Sequence, residues 1–474
     1  MTFNSWTFLA FCIIVYGLYY RLPHRGQNWL ILIGSYVFYG AWDWRFLGLL
    51  WVSTAVDFAV GKAIEATDEQ TRRKRLLWIS LGTNLGILGF FKYFNFFADS
   101  LVGAMAAFGV EVDAVTLEIV LPVGISFYTF QTLAYSIDVY RGRMKAVRDP
   151  LDFAIYVAFF PQLVAGPIER AQNLMPQISQ PRTVTAEQLY SGAQLVLIGL
   201  FRKIMIADIA ADRANQAFAN AADMTTIPLL LGVLMFALQI YGDFSGYSSI
   251  ARGLSRMLGV ELMENFRHPY FSTNITVFWR RWHISLSSWL RDYLYISLGG
   301  NRGPQWFVYR NLMLTMLLGG LWHGASWNFV VWGGIHGLAL ALHKLWLRGE
   351  KPPAKASFAT VGDASKAVMG WLVTMLVVGF AWVFFRAQTF EQSAAVLSGI
   401  AAFDLSDLSL SFFKQPLYLI ACVLFIDIPQ HRTGDQNAML KWHWAIRGIV
   451  YTGMILYMVA FHSEQEVPFI YFQF

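Results

Sequence analysis

At 474 residues, 56% apolar, 16% aromatic and only 14% charged, the chain is too apolar for an ordinary soluble globular protein. Its net charge of +6 does not point to nucleic acid, because Lys and Arg sit mostly in short loops between apolar runs, where they set membrane orientation. The two cysteines, Cys12 and Cys422, lie in apolar segments without metal-ligand spacing and read as small core residues.

These features predict an all-α polytopic membrane protein forming a single domain over residues 1–474. Apolar runs of ~20 residues are long enough to cross a bilayer. The first, 6–20, has no basic residue before it and no small-residue cleavage site, so it reads as a retained span. The loop 21–25 is basic, 43–45 is short and mixed, and 62–75 carries Arg72, Arg73, Lys74 and Arg75. The loop after the fourth run holds Glu111, Asp113 and Glu118 without Lys or Arg, whereas the next carries Arg141, Arg143, Lys145 and Arg148. Alternating basic loops place themselves in the cytoplasm and the amino terminus outside.

The run 151–166, which holds Pro161 and ends at Gly166 and Pro167, reads as re-entrant. Spans follow at about 193–210 and 227–250, with Arg202 and Lys203 marking a shifted boundary in the first. The Arg-rich segment 251–310 faces the cytoplasm, the run holding His323 goes outward, and 329–342 returns to the basic loop 343–355. Three last runs lie near 364–385, 417–428 and 444–461, giving roughly twelve spans and a carboxyl terminus outside.

The stretch 317–337, LLGGLWHGASWNFVVWGGIHG, places His323 in an apolar run with no neighbouring charge. An intramembrane ionisable group is costly enough to suggest a function. Gly319, Gly320, Gly324, Gly333, Gly334 and Gly337 let backbones approach or let a helix break, which implies a buried pocket around His323. The plainer alternative is a core histidine satisfied by a carbonyl or hydroxyl. His336 and His343, seven apart, share a helical face, and packing is enough to explain them. No histidine spacing fits a zinc or haem motif, so no metal is expected. Asp243, in YGDFSGYS, either orients a histidine or caps a broken helix.

The segment 278–293, FWRRWHISLSSWLRDY, is amphipathic at helical spacing. Phe278, Trp282, Leu286, Trp289 and Tyr293 share one face, Arg280, Ser287 and Arg291 the other, and His283 lies towards the edge between them. Such a helix would lie along the membrane surface. It is either a basic platform on which Arg280 and Arg291 receive the phosphates of a cytosolic donor, or a Trp-anchored interfacial helix without a ligand. The final FIYFQF, 469–474, sets Tyr471 among aromatics, which by composition alone is an interfacial aromatic belt.

Five segments in order, LPVGISFYTFQTLAYSIDVYRG (121–142), FFPQLVAGPIER (159–170), YGDFSGYSSIARG (241–253), FWRRWHISLSSWLRDYLYISLGG (278–300) and LWHGASWNFVVWGGIHG (321–337), closely resemble the membrane-bound O-acyltransferase family. The resemblance covers essentially the whole chain and is narrowest to the bacterial branch of alginate O-acetylation and teichoic acid D-alanylation proteins. It implies a central tunnel holding His323, the family's core histidine, with His283 as the second family histidine.

It further implies a multi-pass protein of the bacterial inner membrane that takes acetyl from acetyl-CoA, with His323 as general base. The acceptor would be an exopolysaccharide, alginate-like or another envelope glycan, reached through a periplasmic acetyltransferase or esterase-like partner. Phe469, Tyr471 and Phe474 resemble the branch's FxYxxF acyl-accepting tail, making Tyr471 a third candidate catalytic residue. The competing classes are a transporter or proton relay and a structural scaffold. Against the transporter, Asp and Glu fall mostly in loops.

Overall fold

The structure, a computed structural model, describes all residues except 113–116, 349, 351–358, 462–468 and 471–474. Among the described residues the regular structure is entirely helical, and the chain forms two compact units.

The first unit comprises Met1–Gly192 and Ala251–Met263. It contains α1 (Trp6–Tyr19), α2 (His24–Asp43), α3 (Leu47–Glu65), α4 (Gln70–Leu88), α5 (Phe94–Ala107), α6 (Ile125–Tyr140), α7 (Pro150–Ala158), α8 (Phe160–Leu163) and α9 (Ala171–Ser179). Local sequence starts several of these. Ser5 caps α1 by accepting from the Phe8 amide at 3.2 Å, and Asp149 caps α7 ahead of Pro150, whose missing N–H costs nothing in a first turn. The run expected to be re-entrant is a broken helix: α7 stops at Phe159, α8 adds one turn, and the stretch is buried in protein, where irregular backbone is tolerated.

The second unit comprises Ala193–Ile250 and Glu264–Phe474. Its helices are α10 (Ala186–Phe201, from Ala193 on), α11 (Ile209–Ala219), α12 (Thr226–Met257, up to Ile250), α13 (Ile275–Arg281), α14 (Ile284–Trp289), α15 (Gln305–His323), α16 (Trp327–Trp346), α17 (Val361–Arg386), α18 (Phe390–Ala401), α19 (Ser411–Thr433) and α20 (Trp444–Ala460). Helices α15 and α16 form a hairpin in which glycine sets the spacing. A Cβ on Gly320 would fall on the Phe329 carbonyl oxygen, and one on Gly333 on that of Met316. Both carbonyls belong to backbone that cannot rotate away, so alanine at either position would force the helices apart.

Among the described residues, five helical stretches have the length and hydropathy to cross a membrane: His24–Glu65, Gln70–Ala107, Thr226–Met257, Val361–Arg386 and Ser411–Thr433. The protein is therefore multi-pass. Helix α1, at 14 residues, and α20, at 17, are apolar but shorter.

Charged residues inside the apolar runs take defined places. Arg202 and Lys203 lie in a π-helical turn, Arg202–Asp208, that joins α10 to α11 without a break. Among the acids, Asp57 in α3, Asp243 in α12 and Asp427 in α19 are buried within helices. Each is compensated. Asp57 accepts from Ser136 and Asn84, both at 2.6 Å, and from Ser80. Asp427 pairs with Arg202 at 2.6 Å and accepts the Tyr241 hydroxyl at 2.6 Å. Removing one member of a buried ion pair strands the other charge, so Arg202→Leu is expected to cost ~3–5 kcal/mol. Thermal unfolding in detergent checks this, and an unchanged midpoint would contradict it.

Candidate active site

His323 is the last residue of α15, where Gly324 adopts an extended conformation and ends the helix. A Cβ at Gly324 would collide with the Phe329 ring, so glycine is required where the chain turns towards α16. Ser326 then starts α16 by accepting from the Asn328 amide at 3.3 Å. The His323 side chain is buried, with Trp322 and Trp332 each 5.0 Å away and Phe385 at 5.3 Å, measured between ring centroids. The expected apolar enclosure is thus formed by α15, α16 and α17.

The segment 278–293 departs from its expected form. It is two short helices, the second running on into a π-helical turn at Leu290–Tyr295, with Trp282 and His283 between the two helices and His283 in the left-handed region at φ 42° and ψ 57°. The apolar face predicted for it is buried, but in the protein core rather than on a membrane surface: Phe278 stacks on Trp282 at 5.6 Å, and Trp282 meets Trp382 at 5.1 Å. His283 is 0% exposed instead of lying at the edge of a face. Histidine tolerates the left-handed conformation better than branched residues, and no glycine flags the break. A continuous helical wheel therefore misplaces everything after Arg281.

The break brings His283 to His323, with ring centroids 6.5 Å apart and planes at 61°. Arg280 and Arg291, expected on one helical face, are both exposed but lie on either side of the break, and Arg291 is paired with Asp292 at 2.7 Å. His336 is fully buried one turn beyond Trp332 on α16, which is continuous, and His343 shares a 2.8 Å hydrogen bond with Thr276.

Asp243 does not cap a broken helix, since α12 runs straight through it. Its carboxylate pairs with Lys203 at 3.0 Å, and Lys203 also holds Asp208 at 2.8 Å. The other carboxylate oxygen accepts the Ile470 amide at 2.6 Å. Beside it, Phe469 is buried and stacks on Tyr247 at 4.6 Å and 28°, with Phe244 at 5.9 Å. Phe244 in turn meets the His283 ring edge-on at 4.5 Å. Phe469 is therefore separated from His283 by one ring, that of Phe244. Tyr471 and Phe474 lie outside the described residues.

Sequence reasoning passed over Asp208 and Asn265, and took Lys203 only as a boundary marker. For Lys203 a signal existed, since opposite charges inside different apolar runs, here Lys203 and Asp243, have a reason to pair. Among the described residues no group of three or more His, Cys, Asp or Glu is placed to hold a metal ion.

Both buried histidines and the five segments above fall within the reach of one family model. The model of the membrane-bound O-acyltransferase family matches residues 38–385, and the chain belongs to that family. It is 46% identical to a probable alginate O-acetylase, AlgI, of Azotobacter vinelandii over 86% of this chain and 80% of the relative. To the probable alginate O-acetylase of Pseudomonas putida it is 39% identical, with 100% of each chain covered. It is 35% identical to a peptidoglycan O-acetyltransferase of Helicobacter pylori over 84% of this chain and 77% of the relative. The transporter reading gives way to the family assignment.

Proposed function

We propose that this acyltransferase takes acetyl from cytosolic acetyl-CoA and delivers it for O-acetylation of an extracytoplasmic polysaccharide or other envelope glycan. In this reading it is a single catalytic domain in the bacterial inner membrane, with roughly twelve spans around a central tunnel. The observation that carries the proposal is the convergence of His323, His283 and residues 469–470 inside one unit. The glycan acetyltransferases among the relatives support acetyl as the group and a glycan as the acceptor.

In the first step, the phenol oxygen of Tyr471 attacks the acetyl carbonyl. A C–O bond forms, the C–S bond breaks, and the phenolic proton passes to His323 and on to the leaving CoA thiolate. In the second, a serine of a periplasmic esterase-like partner, or the sugar hydroxyl itself, takes the acetyl group and returns a proton to the phenol. His283, ring to ring with His323, lines the same reacting space. The role of Asp243 is to hold the tail in place during loading.

Arg280 and Arg291 receive the donor's phosphates at the exposed mouth. Arg280 carries more of this, because Asp292 partly neutralises Arg291. Exposed ion pairs are worth up to ~1 kcal/mol, so Arg280→Ala should weaken acetyl-CoA binding by about fivefold, Arg291→Ala less, and added salt should narrow both differences. Thiol release from acetyl-CoA by purified protein, titrated with donor, tests the function and this prediction together. Absence of thiol release would overturn acetyl-CoA as donor, and equal donor affinity in parent and both variants would remove the arginines from the site.

A further inference from the structure

The loop that precedes α13 carries a group aimed at His283. Asn265 is 1% exposed, and its side-chain oxygen faces three atoms: the Ser285 amide nitrogen at 3.1 Å, the Ser285 hydroxyl at 3.0 Å and His283 Nδ1 at 3.2 Å. Its side-chain nitrogen donates to the Ser248 hydroxyl at 3.2 Å, and its backbone carbonyl accepts the Ile284 amide at 2.9 Å.

These contacts favour one choice for each of two assignments that coordinates alone leave open. A backbone N–H can only donate, so the atom facing the Ser285 amide must be the Asn265 oxygen and not its nitrogen. An amide oxygen can only accept, so the 3.2 Å contact is a hydrogen bond only when His283 Nδ1 carries the proton; the Ser285 hydroxyl, 3.4 Å from Nδ1 but 3.0 Å from the Asn265 oxygen, then donates to that oxygen. The basic lone pair of the neutral imidazole then lies on Nε2, the nitrogen on the far side of the ring from Asn265.

From this geometry we propose that Asn265 is a positioning residue for acyl transfer, holding His283 as its Nδ1–H tautomer in the left-handed backbone break so that Nε2 presents its lone pair to the reacting groups. The inference rests on the reading of His283 as part of the reaction site. Asn265 acts through His283 and touches no substrate. The arrangement also explains why a residue 18 positions away is needed. The break between α13 and α14 frees the Ile284 and Ser285 amides, and one asparagine satisfies both while fixing the ring. Phe244, Phe266, Trp322 and His323 pack on the His283 ring, and His323 is the titratable one of the four. Asp243, adjacent to Phe244 in α12, is already paired with Lys203.

Three variants in the full-length protein test the inference, read by acyl transfer as a function of pH and by the nitrogen NMR shifts of labelled histidine. Asn265→Leu keeps the size but removes the acceptor, so Nδ1–H loses its partner. Its rate should fall ~100-fold or more, as for other bases held in the wrong tautomer. Asn265→Asp keeps an acceptor for all three donors and adds a negative charge that favours the protonated imidazole. It should retain activity at high pH, with the acid limb of its profile displaced to higher pH, and it serves as the test if the leucine variant does not fold. His283→Gln, run alongside, should be as slow as Asn265→Leu.

A parental rate in folded Asn265→Leu, or an unshifted profile in Asn265→Asp while His283→Gln is inactive, overturns the role of Asn265 and leaves the site reading standing. A parental rate in His283→Gln overturns both. A histidine spectrum in which Nδ1 of His283 is unprotonated in the parent also overturns it.

Discussion

His323→Ala is expected to cut acyl transfer ~100-fold to ~10,000-fold, the range for loss of a general base, while the protein still inserts and accumulates. The second half of that expectation follows from the packing. His323 sits at the end of α15 among Trp322, Trp332 and Phe385, and the α15–α16 hairpin is held by backbone approach at Gly320 and Gly333, which the substitution leaves intact. Acetylated glycan per unit of membrane-inserted protein is the readout. A variant that acetylates at the parental rate would remove His323 from the mechanism.

Tyr471→Phe is expected to abolish glycan acetylation with insertion unchanged. The ring is kept and the nucleophile removed. A phenol, ionising near ~10, releases an acyl group more readily than an alkyl alcohol, so an acetyl-tyrosine can pass its acetyl onward to a serine or sugar hydroxyl. A covalent carrier also divides one difficult transfer into two easier ones. The placement of the preceding residues gives the proposal its physical footing, because the Ile470 amide is held by Asp243 and Phe469 stacks on Tyr247 beside Phe244. If Tyr471→Phe acetylates glycan as well as the parent, the segment 469–474 is only an aromatic anchor.

Helical class, membrane character and the burial of His323 were legible because each depends on local composition. Apolar length predicts a helix that can span, and a lone histidine among glycines predicts a tight, buried turn. The site as a whole was less legible. Its second histidine depends on a left-handed residue that no glycine announces, so a helical wheel drawn through 278–293 put His283 on an edge and both arginines on one face. Asn265 is invisible for a related reason, since its importance arises only when the break frees two backbone amides. The pairing of the buried charges was not legible because partners lie far along the chain, Arg202 with Asp427 and Lys203 with Asp243. Intramembrane charge is tolerated when it is paired, and pairing is a property of the fold.

The covalent carrier is the claim on which the transfer scheme depends, and the mass of the protein after mixing with acetyl-CoA tests it most directly. Purified full-length protein in detergent, given excess donor and no glycan acceptor, should gain one acetyl group on the peptide that contains Tyr471. The gain should be absent in His323→Ala and in Tyr471→Phe, and glycan or partner added afterwards should discharge it. Thiol release and glycan acetylation that proceed at the parental rate, with no acetylated Tyr471 peptide at any time under donor excess, would contradict the account.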